Sequence, residues 1–78
     1  MFDKSKIREH MEVLGSDGQH VGTVDHMEGS DQIKLTRKDP AAGGKHHLVP
    51  TSWVDHVDAH VHLNKSASDV KKNWKEAA

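Results

Sequence analysis

The chain has 78 residues, enough for one domain. A chain of this size buries only about 60 % of the surface its unfolded form exposes, which leaves little to wall a ligand cavity. With no cysteine it has no disulfide staples, thiolate metal sites or thiol nucleophiles, and its 11 basic against 12 acidic residues, evenly spread, form no basic stripe for a phosphate backbone.

The eight histidines are the compositional anomaly, since protonating all of them would take the formal charge from −1 to +7. The segment Met1–His10 is polar and has no apolar run of signal-peptide length, and no apolar run anywhere exceeds two residues, so no membrane span is expected. Together with the absence of cysteine this points to the cytoplasm.

In chain order, Ser5–His10 reads as a short lead-in with Ile7 and Met11 as apolar anchors. Glu12-Val13-Leu14 forms a first short strand, and Gly15-Ser16-Asp17-Gly18 a tight turn built from residues that tolerate positive φ. His20–Met27 is the second strand. Its apolar residues Val21, Val24 and Met27 are three apart, wrong for strict alternation, and a bulge near Gly22 reconciles them. Glu28–Asp31 turns the chain again, and Gln32–Thr36 alternates cleanly with Ile33 and Leu35 on one face. Arg37–Lys45 holds Asp39-Pro40 and Gly43-Gly44 and is a loop. His46–Val49 is a strand closed by Pro50, which cannot donate to a ladder. Thr51-Ser52-Trp53 is a corner, and Val54–Asp58 with His60–Leu63 a last strand pair, with Val57, Val61 and Leu63 inward. Ser66 opens a helix over about 66–76, because Ser66 and Asp69 fit a capping box and Ala67, Val70 and Trp74 share one face. Short strands at this density predict a mainly β domain, a small barrel of five to six strands over about 11–64 with one C-terminal helix. That helix either caps its own barrel or docks on a second copy.

Gly15-Ser16-Asp17-Gly18-Gln19-His20-Val21-Gly22-Thr23-Val24, Ile33-Lys34-Leu35, His47-Leu48-Val49-Pro50, Trp53-Val54 and His60-Val61-His62-Leu63 together resemble the PRC-barrel pattern. The chain is similar to small stand-alone bacterial proteins of an uncharacterised family related to PRC barrels, over roughly residues 11 to 70. The resemblance implies a small β-barrel that binds other macromolecules. It implies no reaction, no cofactor and no functional residues to transfer.

His60-x-His62 is the sharpest local signal for chemistry. Two residues apart on a strand, both imidazoles fall on one face, a workable geometry for Zn²⁺, Ni²⁺ or Cu²⁺, with His56 or Asp58 able to join. The competing reading is that Val61 and Leu63 are core and His60 and His62 face solvent. His46-His47 offers at most one ligand, because neighbours on a strand point to opposite faces. Asp25-His26 and Asp55-His56 fail as acid–base dyads for the same reason, and no nucleophile motif accompanies them. Trp53 and Trp74 are candidates for an interaction surface. The expected function is therefore a non-enzymatic protein–protein interaction module, self-association included. One alternative is a metal-binding or pH-responsive protein using His56, His60 and His62. The other is an RNA- or ribosome-associated factor, against which the balanced charge speaks.

Overall fold

The Gly15–Gly18 turn reverses the chain between β1 (Glu12–Leu14) and β2 (His20–Glu28), with Gly18 at φ 77° and the Gly15 N–H donating to Gln19 O at 2.9 Å. The computed structural model describes residues 6–29 and 31–77, so the start of the lead-in, at Ser5, lies outside the described residues. β3 (Gln32–Leu35), β4 (His46–Pro50), β5 (Val54–Val57) and β6 (Val61–Leu63) follow at the expected places. The Thr51–Trp53 corner is a single 3₁₀ turn, and a second one, Pro40–Ala42, sits inside the long loop. Pro50 is the last residue of β4, still opposite Gln32 of β3.

The helix is shorter than the pattern predicts. α1 covers Ala67–Asn73, and a further strand, β7 (Lys75–Ala77), pairs antiparallel with β4. Ser66 caps the helix as expected, its hydroxyl accepting from Asp69 N at 3.3 Å. Trp74 then adopts φ −69° and ψ 160°, and the chain leaves the helix in extended form. Asn73, a residue that competes with helical backbone, donates its amide to Asp69 O at 2.8 Å just before the exit.

Among the described residues the strands form one sheet in the order β5-β6-β1-β2-β3-β4-β7. All neighbours are antiparallel except β1 and β6, whose Val13–Val61 and Leu14–His62 register is parallel. The expected mainly β fold with one C-terminal helix is present; the strands number seven rather than five to six, and among the described residues the sheet is not closed into a barrel but ends at β5 and β7. The physical reason is at the C-terminus, where β7 occupies the edge of β4. Nine-residue β2 belongs to both halves of the sheet, first beside β1 and then beside β3. The consequence is a single core: Val13, Val21, Val24, Ile33, Leu35, Val49, Val61 and Leu63 from both halves meet Ala67 and Val70 of α1. Each of these valine, isoleucine and leucine side chains contributes roughly 1.5–3 kcal/mol on burial. The helix therefore folds back on its own chain, and no helix among the described residues is long and apolar enough to cross a membrane.

Three bulges resolve the irregular spacing in the sequence. Val13 faces Gly22 while Leu14 faces His20, so Val21 is an extra residue beside Gly22, as the spacing of three requires. A Cβ on Gly22 would lie 3.2 Å from Leu35 Cδ1, so Leu35 would have to shift by a few tenths of an ångström to admit a side chain there. The other two bulges fall at Asp25 in β2 and at Asp55 in β5.

Candidate functional site

The bulge at Asp55 sets the geometry of the β5–β6 hairpin. Past it, His56 lies directly opposite His62 and Val57 opposite Val61. Valine takes the core side, so both histidines emerge on the outer face, their rings stacked with centroids 4.2 Å apart and planes 10° from parallel. The turn between the strands supplies Asp58. Its Oδ1 accepts the His60 backbone N–H at 2.9 Å and meets His62 Nε2 at 2.9 Å, while its Oδ2 stands 3.8 Å from His56 Nε2. The His60 N–H, then the His62 side chain, hold the Asp58 carboxyl below its ordinary pKa. On the far side of the ring, His56 Nδ1 is 2.9 Å from Asp55 Oδ2. The expectation that Asp55 and His56 point apart is corrected here, because the bulge suspends the strand alternation on which it rested.

His60 does not join this group. It belongs to the turn rather than the strand, its ring is 6.3 Å from that of His62 and tilted by 58°, and its Nδ1 lies 3.8 Å from Glu12 Oε1. That nitrogen is buried and has no hydrogen-bond partner among the described residues. His56 and His62 are thus brought together as expected, with Asp58 rather than His60 as the third member.

A second cluster adjoins the first across β1, and no motif or spacing announces it. His20 sits between two carboxylates, Nδ1 at 2.8 Å from Glu12 Oε2 and Nε2 at 2.7 Å from Asp39 Oδ2. Thr23 Oγ1 donates to the same Asp39 oxygen at 2.7 Å. Burial disfavours the charged imidazole, yet the hydrogen bonds to Glu12 and Asp39 and their negative charge outweigh it and raise the His20 pKa above the ordinary histidine value. Asp39 is buried, with its side chain only 5 % exposed. It pins the 36–45 loop to β2, a role hidden in the sequence because Asp-Pro reads simply as a turn signal.

The other histidines are dispersed. His26 lies 3.5 Å from Asp25 and 3.4 Å from Glu28, again because a bulge places Asp25 beside it. His46 Nδ1 accepts the Arg37 backbone N–H at 3.2 Å. His47 points the other way, as alternation requires, and is buried with its ring stacked on Trp74 at 3.9 Å and 15°. Burial lowers its pKa. Trp74 therefore packs within its own chain, while Trp53 is half-buried at the core rim with Lys65 Nζ 5.6 Å from its ring centroid. Two open clefts border these groups. One of about 390 Å³ runs between the β1–β2 turn and the hairpin, along Ser16, Asp55, His56, His62 and Asn64. The other, about 460 Å³, is lined by His10, Asp25, Arg37, Lys38 and His46 among others.

The family model described as "Uncharacterized protein conserved in bacteria (DUF2171)" matches residues 7–71. The chain belongs to this family. The DUF2171 match contains the whole β5–β6 hairpin and the Glu12–His20–Asp39 cluster, whereas Trp74 and β7 lie beyond it. No curated protein matches the chain.

Proposed function

We propose that this DUF2171 protein is a non-enzymatic protein–protein interaction module of PRC-barrel ancestry, working in the bacterial cytoplasm. Its binding surface is the outer face of β5, β6, β1 and β2. One observation carries the reading. His20, His56, His60 and His62 collect on that face with Glu12, Asp55 and Asp58, beside the free edge of β5. A sheet edge offers unpaired backbone groups to an added strand, and the neighbouring side chains supply selectivity.

The chemistry of the face supports binding over catalysis. Both nitrogens of His20 are engaged by carboxylates, which leaves that ring no free lone pair to act as a base. The sequences of β1, β2, β5 and β6 contain no lysine or arginine, which counts against a nucleic-acid partner. The test is capture from the native host, comparing the wild-type chain with a Leu14→Glu, Asp55→Lys variant of the face. A stoichiometric partner recovered by the first and lost by the second is the expected result. A partner that the variant retains places the surface elsewhere, and recovery of no partner under any growth condition overturns the reading.

A further inference from the structure

The hairpin carries more than a polar surface. One ligand atom each from His56, Asp58 and His62 lies within 4.8 Å of the others. Bonds of about 2.0–2.2 Å to Zn²⁺ in a tetrahedral shell place ligand atoms about 3.4 Å apart. His62 Nε2 stands 2.9 Å from Asp58 Oδ1 and His56 Nε2 3.8 Å from Asp58 Oδ2, so the donors gather round one ion once the two stacked, solvent-facing imidazoles rotate out of parallel. Each donor is also held from behind. Asp55 binds His56 Nδ1, the carboxylate–histidine arrangement that leaves Nε2 as the free ligand nitrogen. The His60 N–H fixes Asp58, and ladder pairing fixes His62 opposite His56.

We propose that His56, Asp58 and His62 bind one divalent transition-metal ion of the Zn²⁺ or Ni²⁺ class. Imidazole donors select these ions over Mg²⁺ and Ca²⁺, which favour all-oxygen shells. The ion takes the place of the hydrogen bond between His62 Nε2 and Asp58, and the neutral imidazole carries its proton on Nδ1. Three protein ligands leave a coordination position for water or an incoming side chain, and the cleft along His56 and His62 opens to solvent beside them. His60 is excluded by its tilt and by its contact with Glu12. The inference goes beyond the interaction reading and does not depend on it.

The experiment uses untagged full-length protein titrated with ZnCl₂, NiCl₂ and MgCl₂ by calorimetry, with backbone NMR to locate the shifts. One Zn²⁺ per chain is expected, with first shifts at residues 55–62. His56→Ala, His62→Ala and Asp58→Asn each weaken it at least about 10-fold, and Asp55→Asn, a positioning change, weakens it about 10-fold with the stoichiometry kept. His60→Ala and His20→Ala leave it within about two-fold, since neither supplies a ligand. His56 lies at an exposed edge, so His56→Ala keeps the turn intact should Asp58→Asn unfold the hairpin. Equal loss across all the histidine variants, equal affinity for Mg²⁺, or no saturable Zn²⁺ binding below about 1 mM overturns the proposal. Partner capture repeated with a chelator separates the two readings: a partner retained in EDTA upholds the interaction surface whatever the titration gives.

Discussion

Both ring nitrogens of His20 face carboxylates, Glu12 at 2.8 Å and Asp39 at 2.7 Å, so folding favours the imidazolium. A histidine whose folded pKa is raised stabilises the fold below its ordinary value of about 6.5, and that contribution is lost as pH rises through the folded pKa. His20→Gln should therefore cost most stability near pH 6, with the gap to wild type narrowing toward pH 8 in denaturant titrations. A gap independent of pH would assign the role of His20 to shape rather than charge. His47 has the opposite sign. Burial lowers its folded pKa, so its contribution is present above the ordinary value and is lost as pH falls toward the lowered one. His47→Phe retains a ring against Trp74 and removes the titration, and a flatter acid limb of stability is the expected result. Asp39→Ala strips the buried partner from His20 and Thr23 and should cost about 1–3 kcal/mol. The sequence spacing showed His62 on an outer face, but it misplaced His60, because two-residue alternation holds only once the strand has begun, at Val61. Nor could it show Glu12–His20–Asp39, whose members are brought together by register and by a loop anchored far from them in sequence.

At the scale of elements, turn and strand chemistry was legible from Gly15–Gly18, from the Ile33–Leu35 alternation and from the Ser66 cap. The bulges were legible only where glycine marks one. Gly22 announces the bulge at Val21, whereas Asp25 and Asp55 look like ordinary outward strand residues, and the Asp–His pairs they create were missed. β7 was missed because Ala67, Val70 and Trp74 fit a helical stripe, while the Trp74 ring is drawn instead to His47 on β4. Trp74→Ala should accordingly cost about 2 kcal/mol, through lost stacking and lost apolar contact, and speed amide exchange along the β7 side of β4. Unchanged exchange there would mean that the Lys45–Glu76 pair and the ladder alone hold β7. Gly15 tests a different junction. A Cβ there would lie 2.5 Å from Ala67 N, where the β1–β2 turn meets the start of α1, and the Ser16 N–H donates to Lys65 O at 2.8 Å. Gly15→Ala should destabilise the fold by about 1–3 kcal/mol and lower the thermal midpoint.

For the whole molecule, the open sheet leaves two edges, and charge guards both: Asp55 and His56 on β5, Lys75 and Glu76 on β7. Net charge then governs how strongly copies repel. The isoelectric point is about 6.7, and the formal charge moves from −1 with neutral histidines to +7 with all eight protonated. Self-association should be strongest near pH 6.7, where repulsion vanishes, and recede toward pH 5 as positive charge accumulates on the histidine face and the β5 edge alike. Sedimentation velocity between pH 5 and pH 8, with far-UV circular dichroism to confirm that the chain stays folded, reads this directly. Added salt should weaken the pH dependence by screening the repulsion at acid pH. Association that instead grows at pH 5 in a folded chain would shift control from charge to the half-buried apolar groups at the surface, Leu14 on the histidine face and Trp53 at its corner, and those would become the contacts to mutate next.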